Sequence, residues 1–121
     1  MPNLHVLGLD PEEARAFSRH AATFFERELG TPRQHVHVLA TSVRAFQDGE
    51  EETPPTIIRV SWIRGRPREH FEKAVAGLTR IVKDDLGRAG SVQVELHEKW
   101  DDGAVDGELC SDWAARVRGR S

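Results

Sequence analysis

The sequence lacks the features of secreted, membrane-spanning and nucleic-acid-binding proteins. Its 121 residues include one cysteine, Cys110, which excludes a disulfide within the chain and fits a reducing compartment. No apolar run approaches the roughly 20 residues that span a bilayer, and the N-terminus has neither the charged nor the apolar region of a signal peptide. The formal net charge of −3 gives no reason to expect nucleic acid. We therefore predict a cytoplasmic protein with no membrane or nucleic-acid partner.

An internal repeat indicates the architecture. The chain is long enough for one domain with one core, and the strand pattern of its first residues recurs 54 positions later. In each half the strand is followed by a helix, a glycine, a second alternating strand, an aromatic residue and an Asp-Gly pair. The recurring positions are Leu4, Val6, Phe46, Asp48 and Gly49, which match Ile58, Val60, Trp100, Asp102 and Gly103.

Capping signals and alternating valines mark the elements of each half. The first helix is predicted to start after Asp10, a capping residue with Glu13 three positions on, and to end at Gly30. The other predicted elements are a helix from about Pro67 to Gly87, strands at 35–38 and 91–94, and short extra strands near 43–47 and 97–101.

Two strand–helix–strand halves predict a single α/β (α+β) domain. A crossover helix joins parallel strands with a right-handed connection, so the halves are expected to form a four-stranded sheet with both helices on one face. The domain is predicted to span residues 1–109, with repeats at 1–49 and 57–109, a solvated acidic linker at 50–56 and a tail at 110–121. We expect an oligomer to bury the other face, whose expected residues are His5, Leu7, Leu39, Ile57, Ile63 and Leu96.

Pro2 opens the first strand and has clear catalytic potential. Initiator methionine is normally removed when the next residue is small, which would leave the secondary amine of Pro2 as the chain terminus. Burial and nearby cations disfavour the charged form of an amine and lower its pKa, so that the amine can accept a proton at neutral pH. The alternative is a structural proline, which is tolerated at the start of a strand because it donates no ladder hydrogen bond.

The loop at residues 63–67 carries Arg64 and Arg66 between the third strand and the second helix. The first N–H groups of a helix attract anions, and arginine binds a carboxylate through two hydrogen bonds. The end of a parallel strand is also where α/β sheets bind ligands. The pattern therefore indicates a carboxylate site, and a solvated basic turn is the alternative.

These features together resemble the tautomerase superfamily, the group of oxalocrotonate tautomerase and macrophage migration inhibitory factor. The resemblance covers residues 1–109 and rests on Pro2, the double strand–helix–strand plan and the Gly-Arg-Pro-x-Glu helix entry at 65–69. The motifs shared with an uncharacterised two-repeat subgroup of that superfamily are Thr31-Pro32-Arg33, Asp48-Gly49-Glu50 and Ser61-Trp62.

The resemblance implies a homotrimer, no cofactor, and Pro2 as the catalytic amine. It also implies Arg66 and Arg64 as catalytic groups that bind the carboxylate of a small substrate, as in malonate semialdehyde decarboxylase and the haloacrylate dehalogenases. Trp62 is a candidate wall of the substrate pocket, with an ordinary core position as the alternative. His37 stands where oxalocrotonate tautomerase has an arginine, and we place it with Arg66 and Trp62 in the substrate-binding set. The arginine of that enzyme's first loop has no counterpart here.

The implied function is cofactor-free keto–enol isomerisation of a small oxo-acid with neutral Pro2 as the base. A protonated Pro2 would instead act as an acid and favour hydration or decarboxylation of an oxo-acid. The alternative from another class is a non-catalytic trimeric binding or regulatory protein of the same fold.

No metal site is predicted. His35 and His37 are expected on one strand face, with His5 or His97 as a further candidate ligand, but no cysteine or carboxylate at ligand spacing accompanies them. We therefore interpret them as solvated or interface histidines. Cys110 is interpreted as a tail thiol, and residues 113–117 as a short helix, a segment packed on a neighbouring subunit or a frayed end.

Overall fold

The first repeat folds as a strand, a helix and a strand, as predicted. The computed structural model of the chain describes residues 2–99 and 103–118. Its first elements are β1 (Asn3–Leu7), α1 (Pro11–Leu29) and β2 (His37–Thr41). The Asp10 side chain accepts a hydrogen bond from the Glu13 N–H at 2.8 Å, and the Glu13 carboxylate accepts one from the Asp10 N–H at 3.1 Å, which confirms the capping box. Gly30 ends the helix with a φ of +66°.

The second strand begins later than predicted. Arg33–His35 forms a 3₁₀ turn in which the His35 N–H donates to the Pro32 carbonyl at 2.9 Å, and β2 begins at His37. Pro32 favours this turn because its ring holds φ near −55°. The prediction that His35 and His37 share a strand face is therefore wrong.

A hairpin fills part of the segment that was predicted to be a linker. Its strands, β3 (Ala45–Gln47) and β4 (Glu50–Glu52), pair antiparallel. Asp48 and Gly49 connect them with positive φ values, which a two-residue hairpin turn requires. The acidic run is thus a strand rather than a loop, although it is solvent-exposed as expected.

The second repeat follows the same plan, with β5 (Thr56–Ile63), α2 (Arg68–Arg80) and β6 (Val92–Lys99). α2 continues into a π-helical turn at Ile81–Asp85. β6 runs on to Lys99, so the separate strand predicted near 97–101 is wrong over residues 97–99, and residues 100–102 lie outside the described ranges. The last elements are β7 (Ala104–Val105), β8 (Glu108–Leu109) and α3 (Cys110–Arg118). A helix therefore occupies most of the predicted tail.

The strands form a mixed sheet in the order β2–β1–β5–β6. Pairing is parallel within each half, between β1 and β2 and between β5 and β6, and antiparallel between β1 and β5 at the centre. Helices α1 and α2 pack on the same face of this sheet in one continuous core. The predicted four-stranded α+β architecture with both helices on one face is confirmed.

The core lies between the sheet and these two helices because alternate residues of the central strands point toward them. Its largest fully buried residues are Leu4, Val6, Phe17, Phe25, Ile58, Val60, Trp62, Leu78 and Val82. Within the described ranges, no helix combines the length and apolarity needed to cross a bilayer.

The opposite face of the sheet carries five of the six residues expected there. The ladder registers align Leu39, His5 and Arg59 in one row, and Leu7 with Ile57 in the next. Leu39 is 57% exposed, which is high for a leucine on a strand. The fifth, Ile63 at the end of β5, is covered by α3 within the same chain.

Leu96 is the exception. It pairs with Val60, whose side chain faces the helices, so Leu96 lies on the helix side of the sheet. It stays 40% exposed because β6 is an edge strand and Phe71 and Val75 of α2 cover it only in part. The placement of Leu96 on the uncovered face was therefore wrong, because Leu96 shares one side of β6 with Val92 and Val94, which pack against the core.

Candidate active site

Pro2 lies at the end of the sheet where β1 begins and β5 ends. Its side chain is fully buried, and its carbonyl accepts a hydrogen bond from the His37 N–H at 3.3 Å. Asn3 pairs with Ser61 in the antiparallel β1–β5 ladder, so the next step of this register sets Pro2 opposite Trp62. Cα atoms of directly opposed residues in such a ladder are about 4.5–5.5 Å apart. Pro2 therefore directly precedes β1 and lies beside the last residues of β5.

The arginine loop, residues 64–67, leaves β5 at this same end. The Arg64 N–H donates to a β6 carbonyl at 2.9 Å, which ties the loop to the neighbouring strand. Gly65 has a φ of +108°, which residues with a side chain rarely adopt. The Arg66 guanidinium lies 5.1 Å from the centroid of the Trp62 ring, a cation–π contact. The loop thus places Arg66 above the residue that Pro2 faces.

Trp62 is a core residue that supports Arg66 from beneath. It is 2% exposed, and its ring centroid lies 6.3 Å from that of Phe25 and 5.2 Å from that of Phe71. Because the indole is enclosed by other aromatic rings, it is part of the core and contacts the Arg66 guanidinium from the core side.

A cavity of about 220 Å³ lies between the arginine loop and α3. Residues 63–67 form one wall, α2 contributes His70, and α3 contributes Trp113, Ala114 and Val117. Pro2 is outside this lining, and its link to the cavity runs through Trp62 and the stacked Arg66. The end of the sheet thus combines a buried proline, two arginines and a small cavity.

The helix α3 is held in place by a small apolar cluster and an ion pair. Ile63, Cys110 and Ala114 are buried together, and Arg116 contacts the Glu108 carboxylate of β8 at 2.8 Å. The hydrogen bonds from Arg116 lower the pKa of Glu108, so this contact is lost as the pH falls through that lowered value. Cys110 is fully buried at the start of α3, which corrects its interpretation as a tail thiol.

The side chain of His37 lies apart from Pro2, Trp62 and the arginine loop. His37 pairs with Asn3, one residue from Pro2, and successive side chains of a strand point to opposite faces. The exposed His37 side chain therefore lies on the sheet face away from α1 and α2, while Pro2 and Trp62 face those helices. Four of the five site residues proposed from the sequence share one end of the sheet, and His37 contributes its backbone N–H there.

Sequence reasoning did not identify His70, Trp113 and Val117 as site residues. His70 lies in the first turn of α2, where its N–H donates to the Pro67 carbonyl at 3.0 Å. Trp113 and Val117 are four residues apart, a spacing that puts them on one helix face. That spacing was the available signal, but it did not indicate which surface the helix covers.

Two histidines of the open sheet face, His5 and His97, lie within hydrogen-bond distance of polar side chains. His5 Nε2 lies 2.7 Å from Thr41 Oγ1, and His97 Nε2 lies 3.4 Å from Glu95 Oε1. Among the residues that the structure describes, no group of three histidine, cysteine or acidic side chains is arranged to hold a metal ion.

Comparison with known proteins finds similarity in the fold. No protein-family model and no curated protein matches the sequence. A domain of unknown function (DUF1904) from Sebaldella termitidis superposes with a TM-score of 0.78 at 23% identity, over 90% of this chain and 99% of that one. Pt0534 inactivated by 2-oxo-3-pentynoate superposes with a TM-score of 0.75 at 19% identity, over 95% of this chain and 98% of that one. A wild-type fused 4-OT described as an asymmetric trimer superposes with a TM-score of 0.79 at 18% identity, over 93% of this chain and 98% of that one. The chain therefore has the fold of the tautomerase superfamily.

Proposed function

We propose that the protein is a cofactor-free enzyme that isomerises a small oxo-acid between keto and enol forms, with the Pro2 amine as the catalytic base. The observation that carries the proposal is the position of Pro2, buried at the start of β1 and facing Trp62, on which Arg66 stacks. A secondary amine and a carboxylate-binding group are thereby brought to one end of the sheet. This function requires Met1 to be removed.

The proposed reaction moves one proton between two atoms of the substrate and needs no other reactant. Burial and the neighbouring guanidinium groups of Arg64 and Arg66 both disfavour a protonated amine. The neutral Pro2 takes the proton α to the oxo group, the electron pair moves onto the oxo oxygen, and the proton returns to a different atom of the enolate. Arg66 binds the carboxylate and stabilises the developing negative charge.

We also propose that the protein works as a homotrimer. Fused 4-OT proteins of this fold are described as trimers, and the open sheet face of this chain exposes Leu39 beside His5 and Arg59. Burial of that row between subunits removes its apolar area from water. Light scattering should give the mass of three chains, and a monomer would contradict this assembly.

The first test is the intact mass of untagged protein before and after incubation with 2-oxo-3-pentynoate. This acid is an electrophile to which a neutral amine adds, and it inactivates the structural neighbour Pt0534. We expect a mass without Met1, and then one added molecule that peptide mapping places on Pro2. A mass that retains Met1 would contradict the enzyme, because Pro2 would then be an amide, and would favour the non-catalytic binding protein.

Arg66→Ala tests the carboxylate-binding group. Hydrogen bonds to charged groups contribute about 1.5–3 kcal/mol, so we expect KM for a 2-oxo acid to rise about 10- to 100-fold. The matched control is Arg68→Ala, because Arg68 is close in the chain but its side chain is 88% exposed and pairs with Glu72. Steady-state kinetics should show an unchanged KM for the control, and equal KM values for both variants would place the carboxylate elsewhere.

A further inference from the structure

We infer that the cavity beneath α3 selects a 2-oxo monocarboxylate with an uncharged tail, and that α3 sets this preference. The inference rests on the proposed function in one respect, since it takes Arg64 and Arg66 as the carboxylate-binding groups. It extends that function to the tail of the substrate and to the contact made by its oxo oxygen.

The two walls of the cavity differ in charge. The arginine loop carries two cations, whereas α3 contributes Trp113, Ala114 and Val117. A carboxylate against the loop gains charged hydrogen bonds. A second carboxylate against α3 would lose part of its hydration without gaining a partner, which disfavours its entry. The walls therefore favour an acid with one charged end and one apolar end.

The volume of the cavity limits the length of the tail. At about 220 Å³, it is smaller than the roughly 300–1,000 Å³ of pockets that take drug-sized ligands. A water molecule occupies about 30 Å³ in the liquid, so the cavity suits an acid of a few carbon atoms. Five-carbon 2-oxo acids are the natural probes of this range.

His70 supplies a polar group for the oxo oxygen between the two ends. It lines the cavity, and its Nδ1 is buried without a hydrogen-bond partner in the part of the chain that the structure describes. A buried polar atom left without a partner destabilises the ligand-free protein. When Nδ1 carries the ring proton it donates to the oxo oxygen, which relieves this destabilisation.

The test compares two acids of equal length, 2-oxopentanoate and 2-oxopentanedioate, by calorimetric titration of the full-length protein. 2-Oxopentanoate ends in a methyl group, whereas 2-oxopentanedioate ends in a second carboxylate. We expect the native protein to bind 2-oxopentanoate at least about tenfold more tightly. Val117→Lys adds a cation to the apolar wall, and it should remove or reverse this preference.

The matched control is Ala115→Lys. Ala115 is exposed on the side of α3 away from the cavity, so the same charge there should leave the preference unchanged. The substitution at Val117 is compatible with folding because that side chain is 39% exposed. Equal affinity of the native protein for both acids, or identical behaviour of the two lysine variants, would overturn the inference.

His70→Phe tests the contact with the oxo oxygen. The substitution keeps a planar ring and removes the ring nitrogens. It should therefore lower the affinity for 2-oxopentanoate several-fold and leave the affinity for pentanoate, which lacks the oxo group, unchanged. An equal loss of affinity for the two acids would show that His70 does not contact the oxo oxygen. Failure of every acid to bind the native protein would overturn the carboxylate site of both proposals, whereas equal binding of the mono- and dicarboxylates would leave the proposed function standing.

Discussion

A chain whose Pro2 nitrogen is blocked should lose keto–enol isomerisation while it keeps its fold. An extra residue that remains attached in front of Pro2 converts the amine into an amide, which cannot accept a proton. General base catalysis contributes about 10²- to 10⁴-fold, so we expect kcat to fall by that factor. Because every side chain is unchanged, the loss reports on the amine alone, measured as the rate of ketonisation of an enol-pyruvate.

The control is the same chain after proteolytic removal of the extra residue, which should regain full activity. Pro2→Ala is a second variant: it replaces the ring amine by a primary amine, and it should also lose activity while the oligomer mass stays that of the native protein. Circular dichroism spectra that match the native protein would show that β1 is still paired. Full activity of the blocked chain would rule out the amine mechanism.

Loss of Arg88 should destabilise the protein substantially, at the end of the sheet opposite Pro2. Both Glu13 carboxylate oxygens lie 3.0 Å from Arg88 Nη1. The guanidinium also donates to the Pro54 carbonyl at 3.0 Å and to Thr56 Oγ1 at 3.3 Å. One side chain therefore connects the first turn of α1, the segment between the repeats and the start of β5.

Breaking a buried ion pair costs about 3–5 kcal/mol. The Arg88 and Glu13 side chains are 14% and 24% exposed, so solvent screening reduces this figure. We expect Arg88→Ala to lower the free energy of unfolding by about 2–3 kcal/mol and the Tm by about 10 °C. Urea denaturation measures the first quantity, and scanning calorimetry the second.

Arg88→Lys separates charge from geometry, because lysine keeps the cation but cannot reproduce the planar array of donors. We expect it to recover only part of the lost stability. Arg80→Ala, at an exposed position of α2, is the matched control and should change stability little. Activity at low temperature should survive in all three variants, since Arg88 lies far from Pro2. A native Tm for Arg88→Ala would show that the contacts of Arg88 do not support the fold.

The sequence by itself determined the strand–helix–strand elements of each repeat, because the signals for each one lie within a few residues. Asp10 and Glu13 specify the start of α1, Gly30 specifies its end, and alternating apolar residues in β1 and β5 specify which side chains point to the core. The repeat then determined the pairing, since a short crossover through a helix leaves parallel neighbours as the available arrangement. These inferences needed no knowledge of distant contacts.

The tertiary structure alone decided how α3 meets the rest of the chain. Trp113 and Val117 mark an apolar helix face, but the surface they cover depends on Ile63 and the arginine loop, about 50 positions earlier in the chain. The sides on which His37 and Leu96 lie were likewise decided by the register that pairs His37 with Asn3 and Leu96 with Val60, because a shift of one residue turns every side chain of a strand to the other face. Contacts between distant segments and strand register both depend on packing of the whole domain, which local patterns do not encode.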